Sequence, residues 1–408
     1  MDGTNQGCIR QLPPPRLGTN AGLDAVRAFA ALGVVALHAG VPYLVHPMPG
    51  LIWPVRDRSS GIVDALFWGI EVMIMPLFLI VAGFLVWHSA TRMSPGSLVK
   101  HRAKRLLVPL MFGVLVILPI DLYLWTIGFV GEDIVPLIKL KSLKFDPPLS
   151  EQIWGLSHLW FLLYAFLYVC VFALGLKLPR PSQRTSSHVK LIAGIALAAG
   201  IVILWMRPEV VWGFQHAFLP VPSKWIYSGL FFGGGVRLAQ HDPTLVRAKR
   251  TGPAMLFAGM IALTIAVMSG TFALATPSND PVAFHPLVAA VATPIAAWLV
   301  SLGLIGCSQY LRTIPGWIKF LATASFWIYL VHHPLLGLAH MDLKWVWQEG
   351  PALMKFLLSL GIATSLSLAS YAVFIDGTRF GRLIGLSGEK RKANKDPAAH
   401  DLDHRSAA

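Results

Sequence analysis

Three residues of the first apolar segment have types and spacings that could do chemistry together: Asp24, Arg27 and His38. Eleven helical steps of 100° separate Arg27 from His38, so both side chains share one helix face, about 16 Å apart along the axis. Asp24 lies three residues before Arg27 and can pair with it. Imidazole exchanges protons near neutral pH, which suits His38 to act as a general base. A plainer interpretation stays open, with an ion pair at the membrane edge and an interfacial histidine.

Further ionisable residues lie inside apolar segments. Such groups cost at least a few kcal/mol in hydrocarbon, so they usually face a bundle interior or a wet cavity and indicate function. Aromatic residues beside some of the histidines are ordinary at a membrane edge, but the histidines themselves are less easily explained. These ionisable residues are Glu71, His88, Asp121, His158, His332 and His333.

A basic segment joins the second and third apolar stretches. It holds five Lys or Arg residues between positions 92 and 105. Arg102 and Arg105 are three residues apart, so they share a helix face and could clamp phosphate oxygens together. An ordinary basic cytoplasmic loop explains the same residues equally well. The glycine run at 233–235 lacks the strand–helix context of a phosphate loop and is predicted to pack helices.

The composition indicates which class of protein must position these residues. Of the 408 residues, 55% are hydrophobic and 13% charged, against about 25% charged in a soluble domain. This excludes an ordinary soluble enzyme and a disordered chain. The three cysteines show no CxxC spacing, so neither a disulfide framework nor a metal site is predicted. We attribute the net charge of +14 to cytoplasmic loops and expect no nucleic-acid partner.

The apolar runs predict an all-α, polytopic membrane helix bundle with about ten spans. With the N-terminus inside, 24 of the 34 Lys and Arg residues fall on the cytoplasmic side and nine outside, which predicts that both termini are cytoplasmic. Residues 1–20 are predicted to be a cytoplasmic tail, residues 21–385 the membrane domain and residues 386–408 a disordered cytoplasmic tail. The predicted spans are 21–43, 65–88, 106–128, 158–176, 191–206, 224–239, 254–274, 284–305, 320–340 and 354–375.

These segments together resemble the membrane acyltransferase 3 family over about residues 21–385. The Arg-x10-His spacing of the first span and the Arg-x-x-Arg of the basic segment are both similar to family motifs. Within the family, the chain looks most like the glucans biosynthesis protein C branch, which is associated with succinylation of periplasmic glucans. The other segments that carry the resemblance are IMPLFLIVAGFL (74–85), KHRAKRLLVPL (100–110), HLWFL (158–162), YLVHHP (329–334) and YAVFIDGTRFGRLIG (371–385).

The resemblance implies acyl transfer from a cytoplasmic thioester to a hydroxyl on the far side of the bacterial inner membrane. The donor would be acetyl-CoA or succinyl-CoA, used as a substrate rather than a bound cofactor, and the acceptor a glycan such as periplasmic glucan. Arg102 and Arg105 would bind the donor phosphates. Arg27, paired with Asp24, would stand at the entrance of a pore that leads to His38.

The same resemblance assigns the chemistry to His38, either as a general base or as the carrier of a covalent acyl group. Tyr329 or His332 could stabilise the oxyanion. His158 and Glu71 are candidates for contact with the acceptor. The sequence leaves these alternatives open.

A function of another class is also compatible with the sequence. A proton-coupled secondary transporter would use intramembrane histidines and carboxylates as a proton relay. Such transporters often show paired inverted repeats, and no such pairing is visible in this sequence. Consumption of acyl-CoA by the protein in detergent would distinguish an enzyme from a transporter.

Overall fold

The structure, a computed structural model, describes residues 20–177, 186–215, 217–277 and 283–386. The predicted tails lie outside these residues, apart from Asn20 and Leu386. The described residues form helices and no strands. They are α1 Ala21–Gly40, α2 Gly61–Ala90, α3 Pro95–Phe112, α4 Leu118–Gly131, α5 Lys139–Ser142, α6 Leu149–Ile153, α7 Trp160–Gly175, α8 Ser186–Met206, α9 Glu209–Trp212, α10 Pro222–His241, α11 Val246–Ala275, α12 Phe284–Ser308, α13 Gly316–Val346, α14 Ala352–Ser370 and α15 Arg379–Leu383.

Eight helical segments of the described chain are long and apolar enough to cross a membrane. The predicted all-α, polytopic bundle is therefore confirmed. The other two predicted spans, 191–206 and 224–239, fall on the shorter or less apolar helices α8 and α10. The total of ten spans and the cytoplasmic termini stay predictions. The eight segments are Ala21–Tyr43, Gly61–Ala90, Pro95–Gly131, Ser157–Gly175, Val246–Ala275, Phe284–Ser308, Gly316–Val346 and Ala352–Ile375.

Two pairs of helices run in the same direction. Arg27 near the start of α1 contacts Ala322 of α13, and His38 near its end contacts His332. Helices α2 and α10 also run parallel to each other. Glu71 in the first half of α2 lines the same cavity as Lys224 at the start of α10, and a Cβ atom at Gly83, later in α2, would meet Val236 later in α10. The ten predicted spans agree with this, because α1 and α13 are the first and ninth spans and α2 and α10 the second and sixth. Spans that are both odd or both even cross the membrane in the same direction.

The central helices of the bundle are α1, α2, α12 and α13, whose side chains are mostly buried. Three helical segments lie at the periphery. They are α11, α14 and the continuous segment formed by α3, a π-helical turn at Gly113–Ile117 and α4. They expose large apolar side chains such as Leu115 and Phe257. In a bilayer such side chains face lipid, so the polar groups of the central helices are the ones shielded from it.

The segment of residues 44–60 between α1 and α2, called the 44–60 segment below, covers one end of the bundle. Trp53 is buried and donates from Nε1 to Nδ1 of His340 at 2.9 Å. The Nζ atom of Lys355 lies 2.7 Å from Asp57 Oδ2, and both side chains are buried. The backbone N–H of Phe214 donates to Pro49 O at 2.7 Å. These contacts attach the segment to three separate parts of the chain, at the end predicted to be extracytoplasmic.

Gly235, the last glycine of the run in α10, lies against α2. A Cβ atom at Gly235 would lie 2.0 Å from the carbonyl oxygen of Ile80, and one at Gly83 would lie 2.1 Å from that of Phe232. The two helix backbones can approach this closely only because no side chain intervenes. The prediction that these glycines pack membrane helices is thus supported at Gly235.

Gly235→Ala is expected to force α2 and α10 apart and to destabilise the bundle by about 1–3 kcal/mol, a typical cost of overpacking. The melting temperature in detergent measures this effect. Gly233→Ala is the matched control, because a Cβ atom there meets nothing within 4 Å. Equal melting temperatures for the two variants would contradict the packing role of Gly235.

Candidate active site

His38 occupies the centre of a cluster of buried aromatic and imidazole rings. Its Nδ1 lies 2.9 Å from the carbonyl oxygen of Val34 and 3.2 Å from Nε2 of His332. A carbonyl only accepts hydrogen bonds, so Nδ1 of His38 carries the proton and Nε2 keeps a lone pair. Nδ1 of His332 lies 3.0 Å from the Ile328 carbonyl, so by the same rule this Nδ1 carries the proton. The Nε2 atom of His332 can then accept a hydrogen bond from Nδ1 of His38. The ring of His38 is therefore held in the tautomer that a general base requires.

Arg27 lies toward the other end of the same contact between α1 and α13. It donates to Asp24 Oδ1 at 3.3 Å and to the Ala322 carbonyl at 2.9 Å. Its guanidinium also lies 3.5 Å from Ser325 Oγ. Arg27 and His38 thus both contact α13, in agreement with the shared face that their spacing predicts. The Arg27 side chain stays 39% exposed, so it remains accessible to a ligand.

Asp121 bonds to one further histidine of the cluster and lies near another. Nδ1 of His333 donates to Asp121 Oδ2 at 2.9 Å. Nε2 of His158 donates to the Leu330 carbonyl at 3.2 Å, so its Nδ1 keeps a lone pair. This Nδ1 lies 3.9 Å from Asp121 Oδ2 and makes no hydrogen bond with it. The rings of His158 and His333 are stacked, with centroids 4.5 Å apart. The His333 ring centroid is 5.2 Å from that of His38, which places this buried carboxylate–histidine pair beside the candidate base.

A narrow cavity of about 40 Å³ opens beside His38. Its polar lining consists of His38, Glu71, His158, Lys224 and Tyr329, which come from five separate elements. The hydroxyl of Tyr329 donates to the main-chain carbonyl of His158. Of the two candidate oxyanion donors, Tyr329 thus fixes the segment that carries His158, and His332 supports His38. Their role toward an oxyanion stays a prediction.

Lys224 is the site residue that sequence reasoning missed. It is the first residue of the predicted span 224–239, lies in the first turn of α10 and is 9% exposed. Its ammonium lies 4.1 Å from the centroid of the Trp160 ring, a cation–π contact. A lysine at the first turn of an apolar helix was the available signal. Trp53 and Trp125 were also missed, and nothing in the sequence distinguishes them from ordinary interfacial aromatics.

Arg102 and Arg105 lie away from the histidine cluster. Nη2 of Arg102 lies 3.0 Å from Ser89 Oγ and 3.5 Å from the Leu85 carbonyl, so this side chain is tied to α2. Arg105, one turn further along α3, is exposed. The two residues share a helix region, but only Arg105 is fully available to a ligand.

One group of described residues could supply ligands to a metal ion. Asp121, His158 and His333 each place a ligand atom within 4.8 Å of the others. The hydrogen bond from His333 to Asp121 satisfies two members of this group without an ion. The expectation that the protein uses no metal stays a prediction.

The fold and this site define a polytopic helical membrane protein whose polar residues converge inside the bundle, around a histidine prepared to accept a proton. The chain belongs to the acyltransferase 3 family, since the family model, described as an acyltransferase domain, matches residues 20–372. The protein is therefore a membrane acyltransferase. No curated protein and no solved structure matches the chain.

Proposed function

We propose that the protein transfers an acyl group from cytoplasmic acyl-CoA to a hydroxyl of an extracytoplasmic glycan. The observation that carries this proposal is the state of His38, which lines a cavity and whose protonated Nδ1 is held by Val34 and His332. Its Nε2 keeps a lone pair that no described residue binds. An alcohol attacks a thioester only when a base accepts its proton, and such help is typically worth about 10²- to 10⁴-fold in rate. The alternative of a covalent acyl-histidine uses the same nitrogen.

The arrangement of charges supports a donor that approaches from the end of the bundle opposite the 44–60 segment. Arg105 and Arg27 both lie toward that end, and both are accessible. Coenzyme A is polyanionic, so its phosphates would stay at this surface on charge-assisted hydrogen bonds. Its thin pantetheine arm would cover the distance of about 16 Å from Arg27 to His38.

The position of Lys224 supports succinyl rather than acetyl as the transferred group. A succinyl group carries a free carboxylate, which needs a cation inside a membrane protein. Lys224 supplies a buried ammonium in the cavity that also contains His38. This agrees with the glucans biosynthesis protein C branch, with periplasmic glucan as the acceptor and the bacterial inner membrane as the location.

The proposed reaction is tested with purified protein in detergent, given acyl-CoA and a soluble glucan. Release of free CoA together with a glucan mass increased by one acyl group is the expected result. Mass spectrometry of surface and periplasmic glycans from cells with and without the protein identifies the natural acceptor. Transport of a solute without any consumption of acyl-CoA would instead favour the proton-coupled transporter.

Arg105→Ala is expected to weaken binding of acyl-CoA by about 1.5–3 kcal/mol, the range for a hydrogen bond to a charged group. The difference in acyl-CoA affinity between the variant and the unmodified protein should become smaller as salt is added, because salt screens the contact between Arg105 and the phosphates. Arg102→Ala should also weaken binding, but it additionally removes the contact with Ser89. Its melting temperature must therefore be measured alongside.

The controls for this prediction are Lys100→Ala and Lys104→Ala, which remove exposed charges from another face of α3. Titration with a non-hydrolysable acyl-CoA analogue measures all four affinities. Losses of equal size in the arginine and lysine variants would show that the segment is an ordinary basic loop.

Lys224→Met is expected to reduce turnover of succinyl-CoA by at least 10-fold relative to acetyl-CoA, because it removes the cation and keeps an apolar chain of similar length. The ratio of kcat/KM for the two donors is the measurement. Lys355→Met is the matched control, a second buried lysine that is bonded to Asp57 outside this cavity. An unchanged donor ratio in Lys224→Met would remove the argument for succinyl.

A further inference from the structure

A second cavity reaches the histidine cluster from the side of α4. It has a volume of about 350 Å³ and lies between α4, the segment before α7 and the segment before α10. Aromatic rings of Trp125, Trp154 and Phe218 line it, and Asp121 forms part of its wall. We refer to it as the outer aromatic cavity, because Leu156 N bonds to Ala217 O at the end of the bundle predicted to be extracytoplasmic.

Two of the residues that line this cavity each carry a buried polar atom with no partner among the described residues. The atoms are Oδ1 of Asp121 and Nε1 of Trp125, and both residues are 5% exposed. Buried polar groups are nearly always hydrogen-bonded, so each of these atoms requires an explanation. One is an acceptor and the other a donor, and they lie one helical turn apart on α4. Hydroxyl groups complement both atoms, because a hydroxyl can donate to a carboxylate oxygen and accept from an indole N–H.

The opposite part of the cavity is built differently. Trp154 and Phe218 are each about half exposed, at 50% and 51%. Large aromatic surfaces without a covering side chain suit a ligand with flat apolar faces. A pyranose ring combines such C–H faces with hydroxyls around its edge, whereas a lipid chain would leave Asp121 Oδ1 and Trp125 Nε1 unpaired.

We infer that the outer aromatic cavity is the acceptor subsite and that it binds a hydroxyl-bearing sugar ring. This inference rests on the proposed function and adds to it where the acceptor enters. The other oxygen of Asp121, Oδ2, accepts a hydrogen bond from His333. The carboxylate therefore joins the sugar subsite to the histidine cluster, and Asp121 and Trp125 act as positioning residues for the acceptor.

The test uses the full-length protein in lipid nanodiscs, with a soluble gluco-oligosaccharide as the probe. Trp125→Phe keeps an aromatic ring but loses the N–H group, and Trp154→Ala removes a stacking surface. Each is expected to raise the KM for the oligosaccharide about 5-fold and to leave kcat at saturating acceptor unchanged, since it removes binding common to ground and transition states. Trp317→Ala, an exposed tryptophan outside the cavity, is the control.

Consumption of acyl-CoA at a saturating concentration of the oligosaccharide separates the two levels of the proposal. Absence of His38-dependent consumption by the unmodified protein would overturn the proposed function. If that consumption is observed, the sugar subsite is overturned by unchanged KM values for the oligosaccharide in both tryptophan variants. Phe218→Ala replaces Trp125→Phe if the latter fails to fold. A lipid chain in this cavity in a cryo-EM map of the protein with the oligosaccharide would also overturn it.

Discussion

His38→Ala should reduce the rate of acyl transfer by about 10²- to 10⁴-fold, while the protein stays folded and inserted. The substitution removes the imidazole that lines the cavity and leaves the i−4 backbone contacts of α1 intact. The measurement is acyl-CoA turnover with acceptor, on protein whose melting temperature and expression match those of the unmodified chain.

His88→Ala is the matched control for this prediction. Nδ1 of His88 lies 3.0 Å from the Phe84 carbonyl, the same local contact that His38 makes with Val34, but His88 is at the far end of α2. Near-normal activity of a well-folded His38→Ala variant would end the proposed mechanism. Incubation with acyl-CoA alone, followed by peptide mass spectrometry, distinguishes general-base catalysis from an acyl-histidine, which adds one acyl mass to the His38 peptide.

Transfer should also depend completely on which side of the membrane each substrate occupies. In sealed vesicles of known orientation, acyl-CoA should react only from the Arg105 side, and a membrane-impermeant glycan only from the side of the 44–60 segment. The physical reason is that neither a polyanionic donor nor a glycan can cross hydrocarbon, so the two must meet at His38 from opposite ends. Product is measured by mass spectrometry of the glycan.

The control for sidedness is permeabilised vesicles, in which both orientations should give equal activity. Transfer with both substrates confined to one compartment would refute the arrangement. Cysteine labelling that placed residues 92–104 outside the cell would refute the predicted topology itself.

The sequence by itself determined those features that depend on local spacing and on the cost of placing polar groups in hydrocarbon. Long apolar runs require helices there, because every backbone group must find its partner within the segment. The shared face of Arg27 and His38 follows from helical geometry alone, and the contacts of both residues with the same helix agree with it. The ion pair of Asp24 with Arg27 has the same local origin.

Only the tertiary structure decided which distant groups meet. His333 and Asp121 are 212 positions apart, and His38 and His332 are 294 apart, so no periodicity relates them. The burial of Lys224 was also decided by the tertiary structure. Counting Lys and Arg residues assigns a lysine to one side of the membrane, but its burial depends on the neighbouring helices α2 and α7. Each pairing arises because α1, α2, α4, α7, α10 and α13 converge on one centre, and that convergence is set by packing contacts that local sequence patterns do not encode.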